Sequence, residues 1–130
     1  MNAYREVIVR FRAFNPHAPV VLHNYDNAWP TGKGFFGPAD WLKVPMDLAK
    51  VQGMQLRRDI FKFLVSGRGD AQDALAQEAG LGPIIAVETA GELPETGPEG
   101  WWANELHPTP KGFRRIAENR MVPPLELVLS

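Results

Sequence analysis

The chain has 130 residues, 45% of them hydrophobic, with 14 basic against 15 acidic side chains and a net charge of −1. That length suits one domain spanning 1–130 with a core of its own, and the apolar content excludes a disordered chain. A near-neutral balance lacks the electrostatic footprint of a nucleic-acid or anionic-membrane binder, and the absence of cysteine excludes disulfides, thiolate metal sites and a cysteine nucleophile, which fits a cytoplasmic protein.

Residues 1–14, MNAYREVIVRFRAF, interrupt their apolar positions with charges every few residues, so neither a signal peptide nor a membrane span is expected there. Tyr4, Val7, Ile8, Phe11 and Phe14 recur at three and four, the stripe of an amphipathic helix, with Arg5, Arg10 and Arg12 left for solvent. Asn15 to Pro19 break it. Val20-Val21-Leu22 then reads as a short strand buried on both faces of a parallel sheet. The following stretch, Tyr25 to Val44, sets Trp29, Phe35, Phe36 and Trp41 among glycines and prolines. Rings of that size left in water carry a penalty that packing removes, so the stretch reads as an ordered lid or cleft wall, or as a plug on the end of a small sheet.

From Pro45 an apolar face through Met46, Ala49, Gly53, Leu56, Ile60, Phe63 and Leu64 predicts a long helix. Ser66-Gly67-Arg68-Gly69 is expected to end it, with Asp70 capping a second helix through Ala79 that stops at Gly80. The tripeptide Arg68-Gly69-Asp70 matches an integrin-binding motif, but a helix-to-helix turn accounts for it. Pro83 to Thr89 is a second buried-strand pattern, and Ala90 to Gly100 a Gly/Pro/Glu-rich loop. In WWANELHPTPKGFRRIAENRM, Thr109 is the expected N-cap and Pro110 the first helical residue, with Phe113, Ile116, Ala117 and Met121 on one face. His107 therefore lies at a loop-to-helix junction with Asn104 three residues before it. Such a histidine faces a cleft from a fixed support, although a His-Pro also serves simply to cap or pack. The tail from Val122 is expected to be a third strand or an arm.

The spacing Asn104, His107, Pro108, Gly112 resembles the last block of the SGNH, or GDSL-type, hydrolases, which reads Asp-x-x-His-Pro-x-x-x-Gly and opens the final helix. The run from Leu22 to Lys43 also looks like the segment after the fourth strand of such proteins. The resemblance implies an α/β fold in which this chain supplies the C-terminal part of a doubly wound, flavodoxin-like parallel sheet in three α/β/α layers. It implies ester hydrolysis as the family activity, His107 as general base and Asn104 at the position of its orienting acid. It also places the family's Gly-Asp-Ser nucleophile block before residue 1.

No nucleophile is recognisable, because the two serines are Ser66, after a helical pattern, and the terminal Ser130. Asn104 accepts a hydrogen bond but carries no charge, and in serine-protease triads the corresponding change lowers turnover on the order of 10⁴-fold. Glu105 is the local carboxylate positioned to substitute, though a sequence neighbour points elsewhere in most loops. The chain alone is thus expected to be inactive: a fragment, split product or degenerate copy of such a hydrolase. The alternative is a non-catalytic binding or interaction module in which Trp29, Phe35, Trp41 and Trp101 contact an ester or a carbohydrate. His17, His23 and His107 lack paired-ligand spacing and Gly32-Lys33-Gly34 lacks the rest of a phosphate loop, so no metal or cofactor is implied. Two strands leave sheet edges uncovered, so a homo-oligomer or a missing N-terminal half is expected to complete the sheet.

Overall fold

Helix α1, Asn2–Phe14, forms where the apolar stripe predicts it. In the computed structural model, which describes residues 2–34 and 41–129, only part of that stripe is covered. Ile8 and Tyr4 pack on Leu22, Leu75 and Leu81, while Val7 is 66% and Phe14 89% exposed. The stripe is wider than the surface available to it. Arg12, expected in solvent, instead turns back to donate to the carbonyls of Leu81 at 2.7 Å and Pro83 at 2.8 Å, pinning the end of α1 to the start of the second strand.

Strands β1, Val20–His23, and β2, Ile84–Val87, pair in parallel with Val20 opposite Ile84 and His23 opposite Val87. The described residues thus form a small mixed helix-and-strand fold around a two-stranded parallel sheet. Both strands run in the same direction, so the loops that follow them leave from one edge.

The helices between the strands divide differently from the expectation. Helix α2, Lys43–Leu48, is short, and α3 runs unbroken from Met54 to Ala76. The break falls at residues 49–53, where Lys50 takes φ 61° and Gly53 φ 84°. Val51 N–H donates back to the Met46 carbonyl at 2.8 Å, and the buried Arg57 side chain donates to the Val51 carbonyl and to Asp47. The predicted stop at 66–69 is absent because α3 keeps a continuous buried face through Val65, Gly69, Gln72 and Leu75. Gly69 is there for tertiary reasons: a Cβ would sit 3.1 Å from both the Asn24 amide nitrogen and a Glu88 carboxylate oxygen. Gln72 donates to the His23 carbonyl at 3.0 Å, so α3 packs directly onto the C-terminal ends of the strands. Ser66, Arg68 and Asp70 lie within this helix and form no loop.

Helix α4, Pro110–Ile116, opens as predicted, with the Thr109 hydroxyl accepting from Gly112 N–H at 3.2 Å. The tail corrects the expectation of a strand or arm, since α4 continues through a π-helical turn at Ala117–Met121 into α5, Val122–Leu129. Pro123 and Pro124 have no N–H, and a widened turn just before them is a known way to accommodate the lost bonds. Phe113, expected on the inner face of α4, is 51% exposed.

Candidate functional site

The loops after β1 and β2 are fastened together at the C-terminal edge of the sheet by buried polar side chains. Asn24 accepts from Thr89 N–H at 2.7 Å, and the Thr89 hydroxyl bonds back to Asn24 at 3.0 Å. Asp26, 3% exposed, accepts from the N–H groups of Asn27 at 2.6 Å, Gly91 at 2.8 Å and Leu93 at 2.7 Å. Burial holds its carboxyl above the ordinary range against the opposing pull of those three donors. Glu92 is also buried and accepts from Asn119, Arg115 and Arg120, which hold it below the ordinary range, the Asn119 bond contributing most. Helix α4 and its π turn are thereby tied to the loop after β2.

His107 stands at the tip of a tight hairpin. Trp102 bridges Pro108 in antiparallel fashion, and Ala103 N–H donates to the His107 carbonyl at 2.8 Å. Within the tip, Asn104 Oδ1 accepts the backbone N–H of Leu106 at 2.9 Å and of His107 at 2.8 Å, and lies 3.1 Å from His107 Nδ1. Two backbone donors fix which end of the amide is oxygen. An acceptor oxygen facing Nδ1 then places a ring proton on Nδ1. Sequence spacing alone brings these two residues together, and the structure places them so.

Glu105 does something else. It is completely buried, and Oε1 accepts from Gly32 N–H at 2.6 Å and Lys43 N–H at 3.1 Å while Oε2 accepts from Leu42 N–H at 2.9 Å. Its carboxylate therefore faces both stems of the aromatic loop and is not turned toward Asn104's role as a substitute acid. Its own N–H donates to the Lys33 carbonyl at 3.0 Å, which closes the clamp. The clamp brings Trp41 to His107, ring centroids 5.6 Å apart and edge to face at 78°.

No family model matches the chain, and no curated protein or solved structure is detectably similar to it.

The other aromatic residues singled out in the sequence separate from His107. Trp29 packs with the buried cluster of Ala28, Leu93, Trp102 and Ile116, its ring covered by the Arg58 guanidinium at 3.7 Å. Trp101 joins the same cluster under Lys111 at 4.0 Å and Arg115 at 5.5 Å. Phe35 lies outside the described residues. Ser66 is on the exposed side of α3, away from any strand-to-helix turn. Among the described residues no cluster of potential metal ligands occurs, and no helix is long and apolar enough to cross a membrane.

A cavity of ≈ 270 Å³ opens at the same sheet edge, floored by Tyr25, Asp26 and Thr89 and walled by Phe113, Ile116 and Met121. Burial pushes the Tyr25 phenol up, with Arg68 opposing. His107 is not part of its lining, although the adjacent Pro108 is. Sequence reasoning missed Asp26, Glu92 and Thr89. Their only local signal is a polar residue in a loop, and most of their partners are distant in the chain: backbone N–H groups of Gly91 and Leu93 for Asp26, the Asn24 side chain for Thr89, and side chains of α4 and its π turn for Glu92.

Proposed function

We propose that this chain is a portion or degenerate relative of an SGNH-type ester hydrolase, with His107 as the retained general base and with its orienting carboxylate replaced by Asn104. The observation that carries the reading is the Asn104 Oδ1 position, 3.1 Å from His107 Nδ1, which favours the tautomer a base needs. Under this reading the two strands are part of a larger doubly wound, three-layer sheet. Asn104 orients the imidazole but supplies no charge to stabilise its protonated form, and none of the described residues presents a hydroxyl on a nucleophile turn, so the isolated chain is inactive. The exposed face of Trp41, set edge-on to His107, supports a second reading, a binding module in which Trp41 contacts an ester or a sugar.

The test is turnover of p-nitrophenyl acetate by the chain at neutral pH, together with the ring resonances of His107 and Trp41 during titration with ethyl acetate and with glucose. The expected result is no turnover above buffer and saturable shifts with the ester. Turnover lost in His107→Ala would mean that a residue not recognised here acts as nucleophile. Shifts with glucose alone would replace the hydrolase reading with the sugar-binding one.

A further inference from the structure

The cavity of ≈ 270 Å³ at the C-terminal edge of the sheet has polar residues on its floor, but their polar atoms are engaged within the fold. Asn24, Asp26 and Thr89 are all buried. Asn24 Oδ1 accepts from Thr89 N–H, its amide nitrogen donates to Glu88, and the Thr89 hydroxyl donates to the Asn24 carbonyl. Both Asp26 oxygens accept from backbone N–H groups, those of Asn27, Gly91 and Leu93. His23, the exposed member of the lining, turns Nδ1 to the Asn24 carbonyl at 2.7 Å. The surface left for a ligand to cover is apolar: the rings of Tyr25, Trp102 and Phe113, with Ile116, Ala117 and Met121. The π-helical turn supplies both Ala117 and Met121, and such widened turns recur at functional sites. Phe113 stays half exposed on this wall, a large ring with no part of the described chain over it.

We propose that this cavity binds a small uncharged aromatic molecule of one or two rings, held against Tyr25, Trp102 and Phe113. No lysine or arginine lines it, and Asp26 lies on the floor with Glu92 close enough to act on its charge, so an anion would meet carboxylates without a countercharge. A cation would give up its hydration for a carboxylate whose two oxygens already accept three backbone N–H groups. An uncharged ligand loses least on entry. Rings are favoured over aliphatic groups because aromatic pairs add to the gain from buried area, and the Met121 thioether also packs well against a ring. An apolar cavity of about 150 Å³ holds benzene, so this larger one has room for a second fused ring. His107 is outside the lining, and the site stands whether or not that histidine acts as a base.

The full chain, with ¹³C-labelled Ile, Ala and Met methyl groups, is titrated with indole and, at matched pH and ionic strength, with indole-3-acetate and tryptamine. These carry the same ring with a negative and a positive charge. Expected are saturable shifts of the Ile116, Ala117 and Met121 methyls with indole, and binding of either charged compound weaker by about fivefold or more. Phenol should bind about two- to tenfold more tightly than its saturated counterpart cyclohexanol, the range of one aromatic pair. The methyl of Met54, partly exposed and outside the lining, should not move. Ala117→Phe fills the cavity and should abolish binding. Phe113→Ala removes a half-exposed ring and should weaken indole by about two- to tenfold, which keeps the test decisive even where Ala117→Phe fails to fold. Charged compounds binding as tightly as indole, cyclohexanol matching phenol, or affinity unchanged in Phe113→Ala would each overturn the proposal. So would Met54 shifting in step with Ile116, which would show adhesion to exposed apolar surface, or lining methyls silent through the millimolar range.

Discussion

Replacing Glu105 should undo the attachment of the aromatic loop and cost a large share of the stability of the domain. The carboxylate is completely buried and accepts three backbone N–H groups, from Gly32, Leu42 and Lys43. Hydrogen bonds to a charged group contribute about 1.5–3 kcal/mol each, offset by the desolvation of the carboxylate itself. Glu105→Ala deletes all three and strands the donors, for an expected loss of about 3–5 kcal/mol once water reaches the loop. Glu105→Gln keeps one oxygen for Gly32 and Lys43 but turns an amide N–H₂ toward Leu42 N–H, for about 2–3 kcal/mol. Against the roughly 5–15 kcal/mol typical of a domain, either is measurable by urea unfolding. Amide exchange supplies the local readout: protection should fall at Gly32, Leu42 and Lys43 before it falls in α3. A Glu105→Ala protein within about 0.5 kcal/mol of the parent, with those amides still protected, would refute the clamp.

Two glycines of α3 should respond with opposite sign. Gly67→Ala meets nothing within 4 Å and should stabilise by about 0.5–1 kcal/mol, whereas Gly69→Ala meets Asn24 and Glu88 and should destabilise by about 1 kcal/mol despite the same helix propensity gain, both read from urea midpoints. Glu92 is held below its ordinary value of 4.5, so its contribution is fully present above that pH and is lost as the pH falls through its lowered folded-state value; Glu92→Gln should flatten the acid limb of thermal stability. Asp26 has the opposite sign, because its folded-state value is raised above 3.8 and its contribution declines as the pH rises through that window. The two sheet edges and the exposed Leu129, with α1's Phe14, should be covered by self-association, and a clean monomer in light scattering with cooperative unfolding would exclude that.

What the sequence reveals about this fold is the part governed by neighbours in the chain. Thr109 and Pro110 announce the start of α4 because capping is local, and Asn104 finds His107 because three residues suffice to close the turn. Gly67 and Gly69 carry the same local signal as a helix stop, yet α3 passes through both, since the reason for Gly69 is the close approach of Asn24 and Glu88. The real break at Lys50 is braced by the Arg57 side chain, which donates to the Val51 carbonyl, a contact that no local pattern announces. Glu105 is the least legible of all. Its partners are backbone N–H groups 62 to 73 positions away, which have no side-chain signature to search for. The rings diverge for a similar reason: Trp29 and Trp41 look equivalent in the sequence, but Arg58 covers one and the Glu105 clamp delivers the other to His107.

The central claim is that Asn104 sets the state of the His107 ring, and imidazole ¹⁵N spectra of the neutral histidine read that state directly. The geometry predicts the proton on Nδ1 in the native chain, the same tautomer in Asn104→Asp, and loss of the bias in Asn104→Ala. A native ring protonated on Nε2, or a tautomer unchanged in Asn104→Ala, would contradict the account.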